Sequence, residues 1–340
     1  MTTGTRRALA LDRSDPPEAA GDMSGAADRE LDGPAGRTLS RRRRSRRHRL
    51  RRPTNSVLWA FILLTPTLAL IAVYKYGPIG AAVWASTRFF TVGGQAQQSV
   101  GIENFHTALA DGDFRHSLLL TVGFALVKIP LQLGLGFGAA LLLFRTSKVN
   151  SFLRTIMVIP AVTPIVIVGI VFLFLFDREI GLVNTLLHLV GVEKVGWLTN
   201  PDPAKVVIVA VSVWRDAGFT MLIYLAGLTA VPAEILEASR IDGCSGPQQV
   251  RRVVWPLLQR STQLATVTTT IGAFQLFAPI FVMTRGGPQN ATDVAAYHVY
   301  TQAFVFFNQG LANAMALVLV ALLIVVTGIE LYLLRARWEY

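Results

Sequence analysis

The sequence predicts an all-α integral membrane protein with six transmembrane helices. Three observations carry this. The 340-residue chain is 52% hydrophobic and only 16% charged, with a mean hydropathy of +0.47, whereas soluble domains carry about a quarter charged residues. Six apolar segments approach or exceed the roughly 20 residues needed to cross a hydrocarbon layer. Most of the net charge of +11 sits outside them: residues 1–53 hold 14 Arg against 7 Asp or Glu.

That tail is the first element. Residues 1–36 are rich in Ala, Gly, Asp and Pro and cannot bury enough apolar surface to offset chain entropy, so residues 1–53 are expected to be a disordered cytoplasmic tail. Its basic run, Arg41 to Arg44, Arg46, Arg47, Arg49, Arg51 and Arg52, lies beside the first apolar segment. Arginines there hold that end in the cytoplasm and sit on anionic lipid heads. A signal peptide would have a short n-region and a cleavage site, and neither is seen. No folded reader domain accompanies the arginines, so nucleic acid is not an expected partner. The single cysteine, Cys244, excludes an internal disulfide and a multi-cysteine metal site.

Residues 54–340 form the predicted six-span domain. The spans are Val57–Tyr74, Ser117–Phe144, Phe152–Phe176, Val206–Leu228, Leu264–Thr284 and Ala312–Leu334. The second contains Lys128, Pro130 and a Gly134-xxx-Gly138 pair that would allow close helix packing. The third contains Pro160 and Pro164. Arg215 and Asp216 interrupt the fourth. With the tail inside, six spans put both termini in the cytoplasm. The bias of Arg145, Lys148, Arg240, Arg251, Arg252 and Arg260 toward the internal loops agrees with this.

The internal loop between spans four and five, residues 231–257, reads as two short helices. Pro232 suits a first helical turn, and Gly243 suits a left-handed helix end. Ser245-Gly246-Pro247 restarts a second helix, which is expected to stop before Pro256. Such a hairpin is either a docking knob for a partner's cleft or an amphipathic helix at the lipid surface. Its pattern, Glu237-Ala238-Ser239, then Gly243, then Val253-x-x-Pro256, resembles the EAA motif of ATP-binding-cassette importer permeases. Ser239 stands for the second Ala of that motif, and Trp255 for the Leu before its Pro. The resemblance covers roughly residues 57–334. It extends to Tyr76-Gly77-Pro78-Ile79, Gly101-Ile102-Glu103-Asn104-Phe105, Leu225-Ala226-Gly227-Leu228, and Thr284 to Thr292 followed by Tyr297 to Phe304. These are similar to the sugar-uptake branch, on the side of the maltose-type first permease and the glycerol-phosphate permeases.

The resemblance implies a type I importer permease fold in a bacterial plasma membrane. It implies three partners: a cytoplasmic ATPase dimer, a second homologous permease and an extracellular substrate-binding protein. Glu237, Ala238, Ser239, Asp242, Gly243 and Pro256 would couple to the ATPase, with Glu237 as the charged contact and Ser239 keeping a small residue against the partner. A phosphate-cradling loop needs G-x-x-x-x-G-K-[ST], and no Gly here is followed by Lys. The chain is therefore expected to carry no cofactor; ATP would be used by the partner, and this subunit would not be an enzyme.

Charged and amide side chains within spans mark the candidate pathway. Trp214, Arg215 and Asp216 combine an aromatic face with hydrogen-bonding groups, as sugar sites do; the alternative is a structural ion pair. Phe274, Gln275 and Phe277 place an amide between aromatics in span five, where the alternative is helix–helix hydrogen bonding. Asn313 in span six is a weaker parallel. Lys128 reads as an inter-helix pair rather than a kink marker. Two other functions compete. An ion-driven transporter or channel would show internal repeats, and none is visible. A membrane enzyme would need facing catalytic groups, but the five His, at 48, 106, 116, 188 and 298, do not pair at metal-ligand spacing.

Overall fold

The computed structural model describes residues 56–90 and 96–334. The basic tail over 1–53, and Arg335 and Arg337, lie outside the described residues. Five helices are long and apolar enough to cross a membrane, and a bent pair supplies a sixth crossing when counted as one span. The first runs over Leu58–Ser86, the second over Gly112–Leu143, the fourth over Pro201–Thr229, the fifth over Gln259–Met283 and the sixth over Gln309–Leu333. A two-stranded antiparallel ribbon, Arg88–Phe90 with Ala96–Ser99, follows the first span.

The third span departs from the expected single helix. It consists of Lys148–Val162 and Ile165–Leu175, bent by 97°. Pro164 causes the break: Thr163 before it is extended, with ψ of 134°, and Pro164 N-caps the second piece. Pro130 causes no such break, and Gly112–Leu143 stays one helix around it. Asp111 accepts from the Asp113 and Phe114 amides and so starts that helix earlier than hydropathy predicted. Arg154 closes its other end, its guanidinium donating to the Leu143 and Phe144 carbonyls.

The second and fourth spans pack along their length. The predicted Gly134-xxx-Gly138 contact is not the one that forms, since a Cβ on either glycine would meet nothing. Gly136, on the other face, is the close approach: a Cβ there would come within 2.6 Å of the Thr220 methyl. Gly218 plays the same part against the third span, where a Cβ would run into the Met157 carbonyl.

Two apolar clusters fill these contacts at opposite ends. One joins Phe124, Val168, Ile208, Leu276 and Ile280. The other joins Ala140, Tyr224, Leu228, Val254 and Leu258. Between them lies a polar layer. These two clusters leave the charged faces at the middle of spans two and four without apolar filling, while Ala125 on span two packs with Ala273 and Phe274.

Gly218→Val is expected to lower stability by ~2 kcal/mol, because backbone rather than a movable side chain blocks the added methyls. A lower thermal-unfolding midpoint in detergent measures this, and Gly134→Ala, facing open space, serves as the neutral control.

Candidate functional site

The polar layer contains a cavity of about 410 Å³. Its walls come from spans two, four and five and from the bend in span three. Lys128, 2% exposed, donates to Asp216 Oδ2 at 2.9 Å, and Arg215 Nη1 reaches Asp216 Oδ1 at 2.7 Å. Gln132, one helical turn after Lys128, donates to Thr220 Oγ1 at 2.9 Å. These residues sit mid-span: the centre of Gly112–Leu143 falls between residues 127 and 128, and that of Pro201–Thr229 on residue 215. A charge there is stable only when paired and hydrogen-bonded.

Broken helices complete the walls. Span five is interrupted between Phe274 and Ala278, and Gln275, Leu276 and Phe277 at that interruption line the cavity. Ala161 and Ile165 bring the bend of span three to the same place. Irregular backbone at membrane depth is tolerated where it is buried in protein or lines a cavity. Gln132 Oε1, Arg215 Nε and Thr269 Oγ1 on these walls have no hydrogen-bond partner among the described residues. All three atoms are themselves buried, so a solute reaches them only when these walls move.

The structure separates the pathway residues that the sequence grouped. Arg215, Asp216, Gln275 and Phe277 meet on the cavity. Trp214 faces away from it: its ring packs edge-on against Phe172 at 5.1 Å and is half-exposed on the outer side. Phe274 is buried with Ala125 and Ala273. Asn313 donates back to the Gln309 carbonyl at 2.7 Å. Lys128 forms the inter-helix pair expected of it. Gln132, Ser212, Thr268 and Thr269 also line the cavity and were not singled out. The spacing of Gln132 four residues after Lys128 and the run Thr268-Thr269-Thr270 were the available signals. Glu330 in span six, accepting from Thr270 Oγ1 at 2.6 Å, is another intramembrane carboxylate that hydropathy passed over.

At one end of the spans, residues 231–257 form the predicted hairpin. The first helix, Ala233–Ile241, ends in a Schellman motif: Cys244 N–H bonds Ser239 O and Gly243 N–H bonds Arg240 O, with Gly243 at φ of 81°. Glu234, Glu237, Ala238 and Ile241 form an exposed i, i+3, i+4, i+7 stripe, with Ile241 86% exposed. Ser239 points the other way. It is buried, and Gln249 Nε2 donates to its hydroxyl at 2.6 Å and to Leu236 O at 2.7 Å, tying the two halves together. Ser239 is thus an internal fastener rather than a small residue against a partner. The second half does not stop before Pro256. It widens into a π-turn over Val250–Val254 and continues as Trp255–Leu257, the wider turn accommodating a residue that lacks an N–H. Trp255 packs edge-on against Phe137 of span two at 5.0 Å, and Val254 and Leu258 enter the apolar cluster with Tyr224 and Leu228. The hairpin is rooted in the spans that carry the ion pair.

At the far end of span five, Asp293 links the loop to span two. Ser117 donates to Asp293 Oδ2 at 3.1 Å, and His298 Nδ1 lies 2.8 Å from the same oxygen. Burial pushes the His298 pKa down, but the hydrogen bond and charge of Asp293, helped by Asp111 and Asp113, outweigh it and raise the pKa above its ordinary 6.5.

The sequence signature of the "Binding-protein-dependent transport system inner membrane component" family matches residues 132–339. The chain belongs to this family. It is a membrane-spanning permease subunit of an ABC importer that works with a substrate-binding protein, and not an enzyme. This permease is 30% identical over 283 residues to the sn-glycerol-3-phosphate transport system permease protein UgpA of Agrobacterium fabrum, covering 82% of this chain and 96% of that one. It is 32% identical over 250 residues to the trehalose/maltose transport system permease protein MalF of Thermococcus litoralis, covering 74% and 83%. Its fold matches a chain in the crystal structure of a bacterial alginate ABC transporter in complex with its alginate pentasaccharide-bound periplasmic protein. The TM-score is 0.72 at 20% identity, covering 83% of this chain and 94% of that one.

Two measurements test this geometry. Asp216→Asn leaves the buried Lys128 ammonium without its charge partner and is expected to cost about 3 kcal/mol of stability. Adding Lys128→Met should recover part of that loss, read as unfolding midpoints of the two variants. His298, with its raised folded pKa, contributes stability that is fully present below pH 6.5 and lost as pH rises through the folded value. Hydrogen exchange in residues 284–308 should therefore accelerate as pH climbs above 6.5, beyond the intrinsic chemical rate, and His298→Gln should remove the excess.

Proposed function

We propose that this permease forms half of the translocation pathway of an ATP-driven importer for small polyhydroxylated solutes of the sugar class. The mid-span cavity carries the proposal. Paired charges, two helix breaks and the polar side chains of Gln132, Thr268 and Gln275 converge there at the depth where transporters hold their solutes. The sugar and glycerol-phosphate names of the relatives support the solute class. A second homologous permease supplies the other half of the pathway.

In this reading the exposed stripe Glu234, Glu237, Ala238 and Ile241 docks into a cleft of a cytoplasmic ATPase, in the helix-in-groove manner. Asp242, Gly243 and Pro256 shape the hairpin behind it. ATP is bound and hydrolysed by the ATPase dimer, and this chain holds no cofactor. Closure of that dimer draws the two hairpins together. The hairpin is anchored on Tyr224 and Leu228 of span four, so its displacement reaches the level of Asp216 through a continuous helix. Rigid-body rocking then opens the cavity toward the substrate-binding protein on the outside. The chain lies in a bacterial plasma membrane with both termini cytoplasmic.

The reconstituted importer decides this. Glu237→Lys is expected to abolish ATP-dependent uptake in proteoliposomes and co-purification of the ATPase, while the permease still inserts. Undiminished uptake in that variant, or uptake driven by an ion gradient without ATP, overturns the proposal.

A further inference from the structure

A row of aromatic rings runs from the cavity to the exposed surface at the end of span five away from the hairpin. Phe277 lines the cavity. Tyr297 lies 6.2 Å from it at 30°, Tyr300 lies 6.1 Å from Tyr297 at 31°, and Phe304 lies 5.2 Å from Tyr300 at 32°. Phe281 flanks the row, stacked on Phe277 at 5.4 Å. Tyr297, Tyr300 and Phe304 fall on one face of the helix Ala295–Tyr300 and the π-turn Thr301–Val305 that continues it.

These rings are not a core. Phe114 and Phe274 are fully buried, but none of the five is, and Phe281 and Phe304 are 41% and 62% exposed. Tyr300 also touches Phe277 directly, at 5.3 Å and 57°, so the rings make an unbroken aromatic path from the cavity wall through Tyr300 to Phe304, with Tyr297 beside it. Aromatic faces carry negative electrostatic potential. They attract the polarised C–H groups on the apolar face of a cyclic sugar and leave its hydroxyls at the edge.

Resting on the sugar-import reading above, we propose that Phe277, Tyr297, Tyr300 and Phe304 form a stacking track that passes cyclic saccharide rings from the outer mouth to the cavity. Each ring offers a weak contact of similar strength, so a sugar can move from one to the next without being trapped. The track selects cyclic saccharides over acyclic polyol phosphates, which have no flat C–H face to stack. Lipid covers exposed aromatics too, but this row begins on the wall of the cavity that holds Arg215 and Asp216, and a lipid-covering patch has no need of that continuity.

The test is ATP-driven uptake of radiolabelled maltose, trehalose and sn-glycerol 3-phosphate by the complete importer in proteoliposomes. Tyr300→Leu keeps apolar volume and removes the ring; Tyr300→Trp keeps a ring. With a disaccharide that the wild type takes up, the Leu variant is expected to raise KM about fivefold and the Trp variant to stay near wild type. Phe304→Leu and Phe304→Trp, at an exposed position where packing is not at stake, should show the same split. Equal KM for the Leu and Trp variants at both positions overturns the track and leaves the importer reading standing. Uptake of glycerol phosphate alone also overturns the track while sparing that reading. Uptake of none of the three by the wild type removes the sugar reading and the track together.

Discussion

The ammonium of Lys128 lies at the middle of a membrane-spanning helix, almost wholly removed from solvent, and the surrounding arrangement follows from the need to compensate it. Asp216 supplies the opposite charge from the facing span, and Arg215 shares the same carboxylate. A lone buried charge costs several kcal/mol, and a pair repays this only with good geometry and further hydrogen bonds. Spans two and four must therefore keep one register, which Gly136 against Thr220 permits by letting the helices approach closely. Apolar clusters above and below seal the layer. A polar layer with a cavity is what remains between them.

The cavity depends equally on backbone that is not helical. Pro164 breaks span three and the Gln275–Phe277 turn breaks span five. Both breaks turn toward the ion pair, where polar side chains can satisfy exposed backbone groups that lipid could not. The second piece of span three packs back on the last turn of span five, Gly169 receiving Val282. The two interruptions thereby brace one another. A site made this way can change shape with little repacking of the long helices.

The hairpin and the cavity are one mechanical unit because span four joins them. Below Asp216 that helix carries Met221, Tyr224, Leu225 and Leu228, against which the hairpin is seated. The bond from Gln249 to Ser239 makes the hairpin a stiff piece rather than a loop. Its exposed stripe is free to be held by something else. At the opposite end, the Asp293–His298–Ser117 cluster ties the aromatic loop to span two, so both ends of the molecule are coupled to the helix that carries Lys128.

Much of this was legible in the chain itself. Hydropathy located the spans, because lipid demands length and apolarity whatever the packing. Proline and glycine at fixed positions marked the hairpin, because Gly243 alone there takes a left-handed conformation without strain. The pairing of Lys128 was readable from the cost of charge in lipid. Tertiary structure decided what periodicity cannot resolve in a helix apolar all round: which face turns inward. Hence Gly136 and not Gly134 makes the contact, Trp214 turns outward beside an inward Asp216, and Ser239 fastens the hairpin. The same holds for proline, since Pro130 lies in an unbroken helix and Pro164 ends one. Sequence determined where the chain crosses the membrane and which charges had to find partners; only packing decided which side chains share a wall, because a facing direction is a property of two helices and not of one.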